Sequence, residues 1–354
     1  MDDFTKSKTM IFPRDVRVGH GVLEELGSVL HDLALPDGVL VVTGRKTRSL
    51  AGERSWSVVQ KAGYTATLVE VEGATLQDVA RAELAGRKDK PHVVVGVGGG
   101  SVIDVAKLAA FRLGVPYVSV PTNASHDGIT SPRASIKEDH GNASKQAKTP
   151  MAIVADTEII ARAPYRMLAA GCADAISNST AVLDWRLAHR LRGEEYSSFA
   201  AVLAETASDI VIKSAPVIRP GLEESAWIVV KSLIVSGVSM SVAGSSRPAS
   251  GAEHMFSHTL DQLAPESHAY HGEQVGVGSI MMMYLHGGDW KAIRDALQQV
   301  GAPTTARGLG VSKEIVVAAL CKAHQHRSDR YTILGDKGLS QDAAEELVRV
   351  TGVA

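Results

Sequence analysis

The chain has 354 residues, of which 45% are hydrophobic and 21% charged, and its formal net charge is −2. These proportions are typical of a soluble globular protein, and they exclude a basic surface for nucleic acid or for an anionic membrane. The length predicts two domains. The two cysteines lie far apart in sequence and the first residues lack a signal-peptide pattern, so we expect a cytoplasmic protein without membrane insertion.

Short β-branched runs dominate the first 156 residues and predict five strands, at residues 39–44, 65–71, 92–99, 116–122 and 151–156. Most of these runs lack in/out alternation, as expected of strands buried on both faces, and helical stretches separate several of them. This order predicts a doubly wound parallel sheet in an α/β domain. Helical spacing prevails from Ala163 onward, so we expect a dinucleotide-binding domain at residues 1–160 and an all-α domain at residues 161–354.

A glycine run follows the third predicted strand and precedes a helix; its members are Gly96, Gly98, Gly99 and Gly100. Backbone without Cβ atoms at a helix N-terminus is suited to bind a pyrophosphate. The run departs from the ordinary dinucleotide fingerprint, because Ser101 stands where a third spaced glycine is usual. The alternative is a tight turn in which Ser101 and Asp104 form a capping box, and the two interpretations are compatible.

The first predicted strand ends at Arg45 and Lys46 rather than at an acidic residue. NAD-selective sites use an Asp or Glu there to bind the ribose 2′-hydroxyl, whereas cations suit a 2′-phosphate. We therefore expect NADPH to be accepted at least as readily as NADH. Simple solvation of both cations is an equally good interpretation.

A second cluster contains four of the thirteen histidines within eighteen positions: His254, His258, His268 and His271. His254 and His258 are four residues apart, which on a helix places both rings on one face. Met255 stands where a zinc protease has its general base, so a protease is disfavoured. A metal site of another chemistry and a pair of core histidines both remain possible, and Asp174, in an apolar helical stretch, is a candidate carboxylate ligand.

Seven segments together carry a resemblance: GVGGGSVIDVAK, PTNASHDGITSPRASI, ADTEII, GCADAISN, GAEHMFSHTLD, HGEQVGVG and RYTIL. Their order and spacing resemble the sn-glycerol-1-phosphate dehydrogenases, a branch of the metal-dependent alcohol and glycerol dehydrogenase superfamily. The resemblance implies a dehydroquinate synthase-like architecture, a homo-oligomer and NAD(P)-dependent reversible reduction of dihydroxyacetone phosphate in phospholipid biosynthesis. The alternatives are a glycerol or other small-polyol dehydrogenase and a dehydroquinate-synthase-like lyase.

The resemblance also implies roles for individual residues. It assigns the metal, normally zinc (Zn2+), to Asp174, His254 and His271, and moves His258 to a substrate-contacting position beside Asp127, with Asp174 also near the substrate. Either Asp127 or His258 would serve in proton transfer, with metal-bound solvent as the alternative. The implied cofactor-binding positions are Gly98, Gly99, Gly100, Ser101, Val102, Ile103, Asp104, Thr122, Asn123, Ala124, Ser125 and Ser131.

Further expectations concern residues around this site. Iron-dependent relatives have a histidine as fourth ligand one turn after the aspartate, whereas this chain has Asn178, which we expect to orient a neighbour. We expect Glu273 to hydrogen-bond a ligating imidazole, His268 to lie at the surface and Cys172 to pack in the core. Candidate cations for the substrate phosphate, none preferred over a solvated surface, are Arg133, Lys137, Lys145 and Lys148.

Overall fold

The computed structural model describes residues 9–138 and 141–354. Its strands are β1 (Asp15–Gly19), β2 (Val39–Gly44), β3 (Ala66–Val71), β4 (Val93–Gly98), β5 (Tyr117–Pro121), β6 (Arg133–Glu138), β7 (Gly141–Gln146) and β8 (Ala152–Asp156). The helices of the first part are α1 (Leu26–Asp32), α2 (Arg45–Thr47), α3 (Glu53–Lys61), α4 (Leu76–Asp89), α5 (Gly100–Leu113) and α6 (Thr157–Ala161). Those of the second part are α7 (Tyr165–Arg192), α8 (Ser198–Ser214), α9 (Glu223–Ala243), α10 (Ala252–Leu263), α11 (His271–Leu285), α12 (Trp290–Gln299), α13 (Lys313–Lys322) and α14 (Gln341–Thr351).

Six strands form one parallel sheet in the order β1-β8-β5-β4-β2-β3. Alternate residues of β2 belong to the hydrophobic cores on opposite faces of the sheet. Leu40 and Val42 pack with α4 and α5 on one face, whereas Val39 and Val41 pack with α1 and α3 on the other. Both faces of the sheet are therefore covered by helices. The carboxyl ends of all six strands lie along one edge, which is where open α/β sheets bind their ligands.

All five predicted strands are present, as β2, β3, β4, β5 and β8. The sequence analysis missed β1 and the antiparallel hairpin β6–β7. The glycine run therefore spans the end of the fourth strand and the start of α5, and the loop that contains Asp127 follows the fifth strand. The edge strand β1 has only partly buried or exposed residues, and the hairpin is rich in charged and polar residues, so neither resembles a buried strand in sequence.

Helices alone follow β8 within the described residues, so the predicted fold class is confirmed. The long helix α7 is the centre of this second part, with α8 and α11 packed along it. Helix α9 is long and apolar enough to cross a membrane, but 67% of that stretch is buried inside the protein, as in the core helix of a globular domain. The domain boundary between residues 160 and 161 falls within α6 and stays a prediction.

Candidate metal and cofactor site

Three potential metal ligands from three helices converge at the carboxyl edge of the sheet: Asp174 on α7, His254 on α10 and His271 on α11. Their ligand atoms all lie within 4.8 Å of one another, and His271 Nε2 is 3.9 Å from Asp174 Oδ1. Helices α7 and α11 can approach closely because Gly272 has no side chain. A Cβ atom there would lie 2.0 Å from the Ala170 carbonyl oxygen.

The far side of the His254 ring is fixed by a buried carboxylate. His254 Nδ1 lies 2.9 Å from Glu253 Oε1, and Glu253 is fully buried. The same carboxylate accepts hydrogen bonds from the Gly251 N–H group and the Thr180 hydroxyl. An acceptor at Nδ1 places the ring proton there, which leaves the Nε2 lone pair for a cation.

The His271 ring is oriented by a chain of hydrogen bonds through Ser257 and Gln274. The Ser257 hydroxyl donates to Gln274 Oε1 at 2.6 Å, and Gln274 in turn donates through Nε2 to Asp261. Because the Ser257 proton is already donated, its oxygen accepts from His271 Nδ1 at 3.0 Å. His271 therefore also presents an unprotonated Nε2.

The charges of these groups suit a cation. Burial and the neighbouring Asp127 raise the pKa of Asp174 to about 7. Burial opposes protonation of His254, but the bond and charge of Glu253 outweigh it and raise its pKa, whereas burial beside His254 and His258 lowers the pKa of His271 well below its usual value. A buried carboxylate with two oriented imidazoles is a common donor set for divalent zinc, so the residues fit a metal ion.

His258 lies one helical turn after His254 but outside this ligand group. Its ring centroid is 5.6 Å from that of His271 and 4.7 Å from that of His326, on which it stacks. Burial and the charge of His254 lower the pKa of His258 to about 3, so its ring is neutral near pH 7. The separation of the two helix histidines agrees with the assignment implied by the resemblance, rather than with a metal shared by His254 and His258.

Asp127 joins the two parts of the molecule. Its backbone N–H group donates to Asp174 Oδ2 at 2.8 Å, and its own carboxylate accepts from the Ser236 hydroxyl at 2.8 Å. Ser236 also lies 3.3 Å from Asn178 Oδ1, while Asn178 Nδ2 donates to the Ala204 carbonyl oxygen. Asn178 thus lies beside Ser236 but outside the ligand group, and its role in orienting a neighbour stays a prediction.

The last two glycines of the run, Gly99 and Gly100, form the start of α5 against the loop after β5. A Cβ atom at Gly99 would lie 2.5 Å from Asn123 Nδ2, and one at Gly100 would lie 2.1 Å from His126 Nε2. The N–H groups of Gly100 and Ser101 precede the first intrahelical bonds and are available to an anion. Asn123 Oδ1 is buried and has no partner among the described residues, which leaves an acceptor for a cofactor.

The other predicted cofactor-binding residues differ in accessibility. Exposure is at most 8% for Val102, Ile103, Asp104, Thr122, Ala124 and Ser131, whereas Ser125 is partly exposed. The capping box proposed for Ser101 and Asp104 is absent, because Asp104 Oδ2 accepts from the Ser135 N–H group and Oδ1 lies 3.4 Å from Lys107 Nζ. The Val102 and Ile103 side chains belong to the core of the sheet, so contact with a cofactor would involve their backbone.

One cleft of about 270 Å³ connects the two clusters. Gly100 and Ser101 line it from the sheet, Asp127 from the loop after β5, and His254, His258 and His271 from the helical part. A ligand in this cleft would therefore contact the glycine turn and the metal ligands at once.

Several expectations around the site were wrong. Glu273 does not bond a ligating imidazole: it forms an ion pair with Arg166 at 2.6 Å, and Glu253 orients the imidazole instead. Lys145 pairs with Glu138, and Lys148 donates to the Val115 carbonyl oxygen, so neither lines the cleft. His268 is exposed and Cys172 is buried, as expected.

Lys107, a buried lysine on α5, was not predicted from the sequence as a residue of the site. It is fully buried, and its Nζ donates to the carbonyl oxygens of Gly128 and Arg133, both at 2.6 Å. Lys107 thereby fixes the loop that contains Asp127 and the start of the hairpin. A charged residue amid the apolar run SVIDVAKLAAF was the available signal.

Comparison with known proteins agrees with this geometry. The model of the family described as iron-containing alcohol dehydrogenase matches residues 17–164. Glycerol dehydrogenase from Schizosaccharomyces pombe has a TM-score of 0.79 to this chain at 21% identity, with 99% of this chain and 92% of that chain covered. This likeness shows a shared fold.

Much closer sequence relatives exist. Glycerol-1-phosphate dehydrogenase (NAD(P)+) from Methanothermobacter thermautotrophicus is 54% identical over 341 residues, which cover 96% of this chain and 97% of the relative. The protein of the same name from Methanococcoides burtonii is 55% identical over 348 residues, with 98% and 97% covered. Identity at this level over nearly the whole length means that the chain belongs to the glycerol-1-phosphate dehydrogenase family.

Proposed function

We propose that the chain is an oxidoreductase that reversibly reduces dihydroxyacetone phosphate to sn-glycerol 1-phosphate, with NAD(P)H as cofactor and a zinc ion. The observation that carries the proposal is the cleft of about 270 Å³, which the glycine turn and two of the three proposed metal ligands, His254 and His271, both line. The names of the relatives give the activity and the cofactor, and the Asp-His-His donor set favours zinc.

Asp174, His254 and His271 would hold the metal, with a fourth position left for the substrate. When bound, zinc supplies Lewis-acid polarisation of the ketone oxygen, and reduced nicotinamide supplies the hydride. His258 and Asp127 line the same cleft, where they would hydrogen-bond the substrate hydroxyl groups and fix the ketone carbon in place. The neutral His258 ring is suited to this hydrogen bonding, and either His258 or Asp127 would transfer the proton.

The cofactor would place its pyrophosphate at the first turn of α5. We propose that the cofactor-binding residues are those that the resemblance implies, from Gly98 to Asp104, from Thr122 to Ser125, and Ser131. Arg45 and Lys46 are exposed at the carboxyl end of β2, beside β4, and would contact a 2′-phosphate. A lower kcat/KM for NADPH but not for NADH in Arg45→Ala is the expected result, and strict NADH preference of the unaltered protein would refute it.

The central test follows NAD(P)H oxidation at 340 nm with dihydroxyacetone phosphate, before and after chelation. We expect Asp174→Ala to lose both zinc and activity, and His258→Ala to keep zinc but lose at least about 100-fold in kcat. Full activity of a metal-free Asp174→Ala protein would refute the site. Cys172→Ala, a change in the core on the same helix as Asp174 but at a residue outside the ligand group, serves as the matched control.

The same assay separates the alternatives. Faster reduction of dihydroxyacetone than of its phosphate would favour a glycerol or other small-polyol dehydrogenase. Turnover of a substrate without net cofactor oxidation would favour a dehydroquinate-synthase-like lyase. The homo-oligomeric state and the cytoplasmic location stay predictions; light scattering during gel filtration tests the first.

A further inference from the structure

Four arginines gather where the hairpin meets the helical part: Arg133, Arg247, Arg327 and Arg330. Arg133 begins β6, whereas Arg327 and Arg330 lie between α13 and α14. Two carboxylates are paired with members of this group, Glu194 with Arg247 and Asp329 with Arg327. The described partners of Arg133 and Arg330 are neutral. About two of the four positive charges are therefore not balanced by a described carboxylate.

Hydrogen bonds orient the arginines and leave donors unused. Arg133 donates to Ser144 and Gln146 on β7, and Arg330 donates to the Ser250 carbonyl oxygen and the Ser246 hydroxyl. Each guanidinium has five N–H donors, so both retain donors beyond these bonds. Arg327 is one-third exposed and likewise bonds Asp329 with only part of its guanidinium.

The position of this group relative to the metal ligands suits one end of a short substrate. Arg133 and Arg327 line the same cleft as His254, His258 and His271. They also line an adjoining cavity of about 360 Å³, which Arg330 lines but the glycine turn does not. Since His326, next to Arg327, stacks on His258, Arg327 adjoins the histidine proposed to contact the substrate.

The electrostatic environment is costly without an anion. Burial and Arg327 lower the pKa of Arg133, and burial together with Arg327 and Arg247 lowers the pKa of Arg330 to about 10. Like charges that are brought together and desolvated destabilise a protein unless an anion compensates them. Ser241, which lines the adjoining cavity, has a buried hydroxyl without a partner among the described residues.

We propose that Arg133, at the start of β6, and Arg327, between α13 and α14, bind the phosphoryl group of the substrate, with Arg330 supplying further positive charge. This inference rests on the proposed function and gives the residues that select a phosphorylated triose. Guanidinium groups match the geometry and charge of a phosphate dianion. Of the four cations considered from the sequence, Arg133 is retained, whereas Lys137, which also lines the cleft, is the competing candidate.

The test compares Arg133→Met, Arg327→Met and Lys137→Met with the control Arg294→Met, which removes a cation paired with Asp295 on α12. For each protein, kcat/KM is measured with dihydroxyacetone phosphate and with dihydroxyacetone, using NADH to avoid the 2′-phosphate. We expect each of the first two changes to lower the preference for the phosphorylated substrate roughly 10- to 100-fold, mainly through KM. Arg294→Met and Lys137→Met should leave it unchanged, and zinc content should be equal in all variants.

A second measurement needs no turnover. Calorimetric titration of the zinc-loaded protein with inorganic phosphate should show binding that weakens by a similar factor in Arg133→Met and Arg327→Met. Unchanged phosphate binding and unchanged substrate preference in both variants would overturn the inference, as would a loss confined to Lys137→Met. An unaltered protein that binds phosphate but reduces neither ketone would instead contradict the proposed function.

Discussion

Each imidazole of the proposed metal site is fixed by a hydrogen bond on the far side of its ring. His254 bonds a buried carboxylate and His271 bonds a serine whose proton is already donated, so the two rings present the same free nitrogen by different means. A negative acceptor also makes the imidazole a stronger ligand than a neutral one does. We therefore expect His254 to be the more basic of the two ligands, as the opposite shifts in their pKa indicate.

Glu253→Gln tests this arrangement. Glutamine keeps the size of the side chain but removes the charge. Its NH2 group cannot accept the bonds made to the oxygen that it replaces, either those of His254 and Gly251 to Oε1 or that of Thr180 to Oε2. We expect zinc affinity to fall roughly 10- to 100-fold, as measured by competition with a chromogenic chelator. Glu205→Gln, at a carboxylate paired with Arg186, is the control. Equal zinc affinity of the two variants would contradict the role of Glu253.

Zinc affinity should also depend on pH. Because burial and Asp127 raise the pKa of Asp174 to about 7, its carboxyl group is protonated below that pH in the metal-free protein and must release a proton to bind zinc. The raised pKa of His254 adds a second proton to displace, whereas the lowered pKa of His271 adds none. We expect affinity to fall about tenfold or more for each pH unit below about 7. Calorimetry in buffers of different ionisation enthalpy counts the released protons, and a count of zero at pH 6 would contradict this scheme.

The residues of the site were only partly predictable from local patterns. Helical spacing alone groups His254 with His258, but their ring centroids are 6.5 Å apart. The ring of His271, at the start of another helix, is closer to His254, with 4.9 Å between the centroids. The set that the structure brings together, Asp174, His254 and His271, came from the family resemblance. Tertiary packing decides it, because the close approach at Gly272 brings the start of α11 to Asp174 on α7.

At the scale of elements, the first turn of α5 combines two constraints. Its glycines leave backbone N–H groups open to an anion, and they allow Asn123 and His126 to approach the turn. His126 in turn accepts a hydrogen bond from the Gly128 N–H group, so the turn and the loop that contains Asp127 share one contact. The glycine run was visible in the sequence, but its partner loop was not, because no spacing rule links residues so placed.

Gly100→Ala should disturb both functions of this turn. A Cβ atom there would lie 2.1 Å from His126 Nε2, so the ring must move and its bond to Gly128 is strained or lost. We expect the dissociation constant for NADH to rise about tenfold and kcat to fall as the Asp127 loop shifts, while zinc content stays unchanged. Fluorescence titration with NADH measures the first effect.

A second glycine provides the comparison. Gly73 has a negative φ or extended backbone, and a Cβ atom there would have its nearest contacts at 3.9 Å, so Gly73→Ala should bind NADH normally. If Gly100→Ala bound NADH as tightly as Gly73→Ala, the turn would not be the nucleotide site.

At the scale of the whole molecule, the order of strands and helices was predictable because buried strands and helices have strong periodic patterns. The edge strand β1 and the hairpin β6–β7 were missed, since both are partly exposed and polar. The missed hairpin carries Arg133, and the opposing Arg327 lies in a loop of the second part. The phosphate-binding residues therefore depend on how two distant segments face each other, which local sequence does not determine.

Removal of zinc should loosen the molecule unevenly. The proposed ligands lie on α7, α10 and α11, so a bound metal would connect these three helices. The bond from the Asp127 N–H group to Asp174 extends this connection to the loop after β5. The sheet, in contrast, is stabilised by separate hydrophobic cores on its two faces. A ligand at 1,000 times its dissociation constant stabilises the folded state by about 4 kcal/mol, so chelation should lower Tm by several degrees. Hydrogen exchange should accelerate at the start of α11, in α10 and around Asp127, and stay slow in β2, β4 and β5. Equal acceleration in those strands would mean that the metal stabilises the fold globally rather than through these helices.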